Sequence, residues 1–198
     1  MTADLIIALA LFAFVSSITP GPNNLMLMAS GANFGFRRTV PHMLGVALGF
    51  VFLLLVAGAG LIRVFEIWPA VHAAMKAASV AYLLWLAWKI ATAAPVGEGR
   101  SRGRPLTFLQ AAAFQWVNPK AWAMALTAIT VYAPDRSAQA LLTVAALFGL
   151  VNLPSVGTWA LIGQGLAAWL AEPRRLRTFN RVMALLMVAT LWPFLSPS

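Results

Sequence analysis

Six stretches of the chain are apolar enough to cross a membrane, and short polar segments separate them. The predicted spans are Leu5–Ala29, Met43–Ile62, Ala74–Ala91, Phe108–Tyr132, Ala138–Leu161 and Val182–Leu195. An α-helix needs about 20 residues to cross about 30 Å of hydrocarbon. The sixth span is the shortest, because Pro193 closes it. The pattern therefore predicts an all-α membrane protein with six transmembrane helices.

A basic, glycine-containing loop at residues 95–107 separates two halves with three predicted helices each. The halves, residues 1–94 and 108–198, together form a single membrane domain over residues 1–198. Because each half has an odd number of spans, the two halves enter the membrane in opposite directions. This is the arrangement of an inverted repeat.

Helix one contains Pro20-Gly21-Pro22 near its middle. Proline lacks an N–H, and its ring displaces the carbonyl four residues back, so we expect free carbonyls at Ser16 and Ile18. These carbonyls would accept an ammonium group, and the helix N-terminus after Pro22 would attract a carboxylate. We therefore predict that helix one is broken.

Helix four contains Asn118-Pro119-Lys120 at the corresponding position of the second half. Pro119 is expected to free the carbonyl of Gln115 in the same way. Proline-interrupted segments at matching positions of two inverted halves point to a substrate site near the midplane of the membrane. The alternative interpretation is that each proline only kinks a packed helix.

The candidate substrate-binding residues lie at the two breaks and beside a proline in helix five. They are Thr19, Pro20, Gly21, Pro22, Asn23, Asn24, Gln115, Asn118, Pro119, Lys120 and Asn152. Asn152 suits an interhelical hydrogen bond as well as a substrate contact.

Lys120 is the only charged residue predicted deep inside a span, where a lysine costs about 2.5–3.5 kcal/mol without a partner. Its partner is either a freed backbone carbonyl or the carboxylate of a substrate, and the ammonium is also a candidate proton carrier.

Composition excludes several classes of protein. Hydrophobic residues make up 61% and charged residues 10%, too few charges to cover the surface of a soluble enzyme. The net charge of +9 fits basic loops facing anionic lipid, so we expect a bilayer and no nucleic acid as partner. With no cysteine, no acidic residue in a predicted span, and His42 and His72 at predicted helix ends, we expect no enzyme, metal site or cofactor.

Lysine and arginine are distributed unevenly between the predicted loops. Ten of the fourteen follow helices one, three and five, namely Arg37, Arg38, Lys89, Arg100, Arg102, Arg104, Arg174, Arg175, Arg177 and Arg181. Because basic loops stay in the cytoplasm, both termini are predicted to be periplasmic.

Four segments carry a resemblance to a known family: Thr19-Pro-Gly-Pro-Asn-Asn24, Gly35-Phe-Arg-Arg38 with Gly45 to Gly49, Ala81 to Ile90, and Val117-Asn-Pro-Lys120. With them the chain resembles the lysine exporter/homoserine–threonine exporter (LysE/RhtB) family of the bacterial inner membrane. The helix-three segment is most similar to the cysteine/O-acetylserine exporter branch. The resemblance implies six spans and secondary-active efflux of amino acids in exchange for protons. Many members carry an acidic residue after the glycine of helix two, where this chain has Phe50 after Gly49.

The predicted function is therefore a secondary-active, proton-coupled exporter of small zwitterionic amino acids or their derivatives. One alternative is an exporter of another small organic solute. Another is a membrane scaffold or assembly subunit whose polar breaks bind only partner helices. The glycine spacings Gly31–Gly35 and Gly45–Gly49 allow close helix contacts within one chain or in a homodimer.

Overall fold

The computed structural model describes residues 1–61, 67, 69–92 and 104–192, and its regular structure is helical. The described α-helices are α1 (Ala3–Ile18), α2 (Pro22–Phe34), α3 (Phe36–Val56), α4 (Pro69–Ala91), α5 (Phe108–Phe114), α6 (Pro119–Tyr132), α7 (Ala138–Leu166) and α8 (Pro173–Ala189). A π-helical turn, Ala57–Leu61, continues α3. Short 3-10 turns lie at Gln115–Val117 and Trp169–Ala171.

Two of the described helices are long and apolar enough to cross a membrane, Phe36–Leu61 and Ala138–Leu166. The helices α1 and α2 qualify together as a third span, which is bent by 55° between them. The described residues thus contain two spans, or three with the bent pair, and the six-span arrangement stays a prediction. The predicted basic loop up to residue 103, Ile62 and the end of helix six after residue 192 lie outside the described residues.

Three helices begin earlier than the hydropathy pattern predicts. The second predicted span starts at Met43, but α3 starts at Phe36, directly after Gly35 with a φ of 79°. The apolar stretch begins later than the helix because the first turn of α3 carries Arg37 and Arg38. Likewise α4 and α8 begin at prolines, which suit the first position of a helix.

The helices pack closely where glycine removes a side chain. A Cβ at Gly31 would collide with the carbonyl oxygen of Ala160, and one at Gly163 with that of Met28, so α2 and α7 meet backbone to backbone. The glycine pair of α3 packs on α5 in the same way, since a Cβ at Gly49 would lie 2.6 Å from Ala112 Cα. Gly31, Gly45 and Gly49 therefore serve close contacts within the chain, whereas Gly35 has a positive φ at the turn before α3.

Three clusters of buried side chains hold the described helices together. The first joins α1, α3, α6 and α7 around Phe50 and Phe148, and the second joins α2, α4, α5 and α8 around Phe114 and Met187. The third joins α2, α3, α5 and α7 around Val46. In a membrane such clusters act through close packing, since lipid is as apolar as the side chains themselves. The ends of α1 and α5 and the starts of α2 and α6 lie among these helices and position the polar residues described next.

Candidate functional site

The first helical span is broken where the sequence predicts it. The helix α1 ends at Ile18, Thr19 is extended, and α2 starts at Pro22 after the fully extended Gly21. Pro22 occupies the first position of α2, where its missing N–H costs nothing.

The carbonyls that the prolines free are occupied by side chains of this chain. Thr19 Oγ1 donates to the carbonyl of Ser16 at 3.1 Å, and Trp159 Nε1 donates to that of Ile18 at 3.0 Å. The prolines release both carbonyls from backbone N–H groups as predicted, but neither carbonyl stands free, because side-chain donors from Thr19 and from α7 reach them. Asn24 Nδ2 adds bonds of 2.8 Å to the carbonyls of both Ser17 and Thr19.

The second break lies between α5 and α6. The chain passes through the 3-10 turn Gln115–Val117, leaves helical geometry at Asn118 and starts α6 at Pro119. The carbonyl of Gln115 accepts from the N–H of Asn118 at 3.3 Å. The side chain of Asn118 caps α6 by accepting from the N–H of Lys120 at 3.2 Å.

Lys120 connects the two breaks. Its Nζ donates to Thr19 O at 2.6 Å, to Thr19 Oγ1 at 2.9 Å and to Pro20 O at 3.4 Å. Of the partners predicted for this half-buried lysine, the structure shows carbonyls of the broken first helix. These carbonyls close the C-terminal end of α1, where the helix dipole favours a cation.

A second bridge between the breaks joins two amides. Asn23 Nδ2 donates to Gln115 Oε1 at 2.9 Å, and Gln115 Nε2 donates back to Asn23 Oδ1 at 3.2 Å and to Ala111 O at 2.9 Å. Gln115 is fully buried. The two breaks are therefore tied by one charged and one neutral set of hydrogen bonds.

A small cavity of about 30 Å³ lies between the breaks. Its polar lining comprises Ser16, Ser17, Asn23, Asn24, Gln115, Asn118, Lys120 and Asn152, and its other residues are Gly21, Val46, Phe50, Ala121, Met124 and Val156. The buried atoms Ser17 Oγ and Asn152 Oδ1 have no hydrogen-bond partner. A cavity lined by a cation and by polar residues, two of which hold an unpaired polar atom, is suited to a polar guest.

The structure brings together most of the predicted site residues. Seven of them line the cavity: Gly21, Asn23, Asn24, Gln115, Asn118, Lys120 and Asn152. Thr19 and Pro20 supply the acceptors for Lys120, while Pro22 and Pro119 begin the helices that follow the breaks.

The sequence does not predict the apolar wall of the cavity, formed on α3 by Val46 and Phe50, or the side chain of Ser17 in its lining. Val46 and Phe50 lie one turn apart on α3, and nothing in their residue types distinguishes them from core residues. Ser16 and Ser17 stand in the polar stretch before Pro20, which was the available signal.

Within the described part of the chain, no group of three or more histidine, cysteine, aspartate or glutamate side chains could hold a metal ion.

Comparisons with known proteins identify relatives over nearly the whole chain. The family model described as LysE type translocator matches residues 14–192. A cysteine/O-acetylserine efflux protein of Escherichia coli (strain HS) is 33% identical over 192 residues, covering 95% of this chain and 96% of that protein. The protein of the same name from Shigella sonnei matches with the same identity and coverage. No solved structure matches the chain.

Proposed function

This chain belongs to the LysE family of translocators, and we propose that it is a secondary-active exporter of small amino acids or amino-acid derivatives. The family resemblance predicted from the sequence motifs is confirmed. The proposal places the chain in the bacterial inner membrane and has the substrate moving outward from the cytoplasm.

One observation carries the proposal. Lys120 lines one cavity between the two breaks together with Ser17 and Asn152, each of which has an unpaired polar atom, and the lysine ammonium is held by the backbone carbonyls of Thr19 and Pro20. Irregular backbone at membrane depth is tolerated where it is buried in protein or lines a cavity. A zwitterionic amino acid offers both a cation for the carbonyls and an anion for the lysine.

Binding is proposed to proceed by an exchange of partners. The ammonium of the substrate takes the acceptors at Thr19 and Pro20, and Lys120 Nζ turns from them to the substrate carboxylate. Each charge then keeps a hydrogen-bonding partner throughout, which avoids the cost of an unpaired charge in an apolar environment. Asn118 and Asn152 supply amide groups that orient the carboxylate.

The size of the cavity supports an alternating-access cycle. A volume of about 30 Å³ holds about two water molecules and no amino acid. Substrate must therefore separate the two breaks, and the exchange of partners at Lys120 removes one of the two bridges that hold them together. Binding and opening are then linked through the same atoms.

The proposal includes the membrane arrangement predicted from the sequence. Six spans form two inverted three-helix repeats, both termini are periplasmic, and outward transport is coupled to inward proton movement. The uneven distribution of basic residues and the matching positions of the two breaks support it.

Counterflow in vesicles tests the proposed function. Purified chain is reconstituted, the vesicles are loaded with unlabelled amino acid, and uptake of the labelled compound is followed at equal pH on both sides. L-Cysteine and O-acetyl-L-serine are the first substrates, since the two relatives are named for them. We expect counterflow of small zwitterionic amino acids and none of lysine or glutamate, whose extra charge finds no partner in the cavity. Absence of counterflow for every amino acid, together with a co-purifying membrane protein, would instead indicate the scaffold.

A further inference from the structure

His42 is a buried histidine outside the cavity lining, and the exchange of partners at Lys120 does not use it. It lies in α3, its side chain is 1% exposed, and neither Nδ1 nor Nε2 has a hydrogen-bond partner. A neutral imidazole carries one donor and one acceptor, and a buried ring normally satisfies at least one of them. A residue that leaves both unpaired needs an explanation other than packing.

The position of His42 connects it to the proposed site. Residues 42, 46 and 50 are four apart and so lie along one face of α3. Val46 and Phe50 line the cavity, and His42 lies about 6 Å further along the helix from Val46. The ring lies between the cavity and the end of α3 that carries Arg37 and Arg38, which the proposed topology places in the cytoplasm.

Two further polar side chains, Thr39 and Ser30, lie near His42 toward the N-terminal end of α3. Thr39, one turn before His42, is fully buried, and its hydroxyl bonds to Gly35 O and Ser30 Oγ, each at 2.9 Å. A row of polar groups thus runs from the cavity side of α3 toward its first residue.

Few charged groups face this histidine. The described elements that pack on α3 include α2, α5, α7 and the turn Gln115–Val117, and none of these four contains a titratable residue. The helix α6 contributes Lys120 and Tyr132, and α3 itself contributes Arg37 and Arg38. Among the described residues on these elements, His42 carries the only imidazole, and Lys120 is the other group near the cavity that can hold a proton.

We propose that His42 binds the proton that is exchanged for the amino acid, an inference that rests on the proposed function. The ring is neutral while it is enclosed, because an imidazolium without a partner is costly there. Opening brings water to the ring and allows it to gain or lose the proton. When protonated, the ring repels the ammonium of a substrate that approaches from the cytoplasm, so proton and substrate occupy the protein alternately.

The test compares two transport assays on the full chain in vesicles. Counterflow of labelled L-cysteine at equal pH requires no net proton movement, whereas uphill transport driven by a pH difference does. We expect His42→Gln to keep counterflow within about twofold of the parent and to lose pH-driven accumulation by about tenfold or more. His72→Gln, which changes the only other histidine, is the matched control and should behave as the parent in both assays.

The outcomes separate the two proposals. A parent without counterflow of any amino acid refutes the proposed function. A parent with counterflow but no pH-driven transport, or pH-driven transport unchanged in His42→Gln, overturns the role of His42 alone.

A second measurement decides the case in which His42→Gln loses counterflow as well. In the His72→Gln chain His42 is the sole histidine, and its ring signals are followed by NMR between about pH 5.5 and 8. Addition of L-cysteine should shift the midpoint of this titration, and a midpoint that does not respond overturns the proposal.

Discussion

Replacing Gly21 by alanine tests whether the contact between Lys120 and the first break matters for transport. The φ of −176° and ψ of 175° at Gly21 are extended values that alanine adopts freely, so the change strains no backbone. The added Cβ would lie 2.7 Å from Lys120 Cδ and 3.2 Å from Lys120 Nζ. Carbon atoms in good contact are about 3.5–4.0 Å apart, so the lysine side chain has to move by about 1 Å.

The expected loss of transport rate in Gly21→Ala follows from the hydrogen bonds that this movement of Lys120 disturbs. A displacement of about 1 Å takes Nζ from its 2.6 Å contact with Thr19 O to beyond hydrogen-bonding distance. A hydrogen bond of a charged group contributes about 1.5–3 kcal/mol. The closed state has to re-form this bond after each substrate leaves, so at 1.36 kcal/mol for each factor of ten its loss corresponds to a loss of about 10- to 150-fold in the transport rate.

The assay is counterflow of L-cysteine in vesicles, corrected for the amount of inserted protein. Gly165→Ala is the matched control, because no atom lies within 4 Å of a Cβ at that position. The control should transport at the parent rate. If Gly21 acts through the lysine, adding Gly21→Ala to Lys120→Gln should change the rate by less than about twofold.

Two results would refute this reasoning. The first is parent-level counterflow in Gly21→Ala, which would show that the position of Lys120 at the break is irrelevant to transport. The second is a double variant whose loss is the product of the two single losses, which would separate Gly21 from Lys120.

Three further changes test the role of Lys120, the close contact between α2 and α7, and the orientation in the membrane. Lys120→Gln should reduce counterflow by more than about tenfold while thermal unfolding in detergent shows a loss of at most about 3 kcal/mol; parent-level counterflow would remove the lysine from the site. Gly163→Ala pushes α7 away from the carbonyl of Met28 and should destabilise the chain by about 1–3 kcal/mol in the same unfolding assay, whereas an unchanged melting temperature would contradict the close helix contact. Alkaline phosphatase fused after Ser198 should be active and fused at Arg102 inactive, and the reverse pattern would overturn the proposed orientation.

The breaks were predictable from the sequence because proline acts locally. Pro20, Pro22 and Pro119 each lack a backbone donor, so the carbonyl four residues earlier loses its helical partner. The partners of the freed groups were not predictable, because they come from distant parts of the chain. Trp159, which donates to Ile18, is 141 residues away from it.

The apolar wall and His42 were missed for another reason. Val46 and Phe50 have the same residue types as core positions, and only the fold shows which of them face a cavity. His42 was placed at a helix end because hydropathy marks where a helix becomes apolar, whereas α3 begins at Phe36 under the control of the turn at Gly35. The histidine is therefore two turns inside the helix and fully buried.

Lys120 needs both the sequence and the fold to be understood. The sequence indicates that a charge deep in a span needs a partner, and it leaves a backbone carbonyl and a substrate carboxylate as alternatives. The fold places the carbonyls of Thr19 and Pro20 at its Nζ, although they lie 101 and 100 residues earlier in the chain. These acceptors bind any ammonium, whether from lysine or from an amino acid. In the proposed cycle the alternatives are therefore successive states of one site, since a substrate that takes the carbonyls also frees the lysine for its carboxylate.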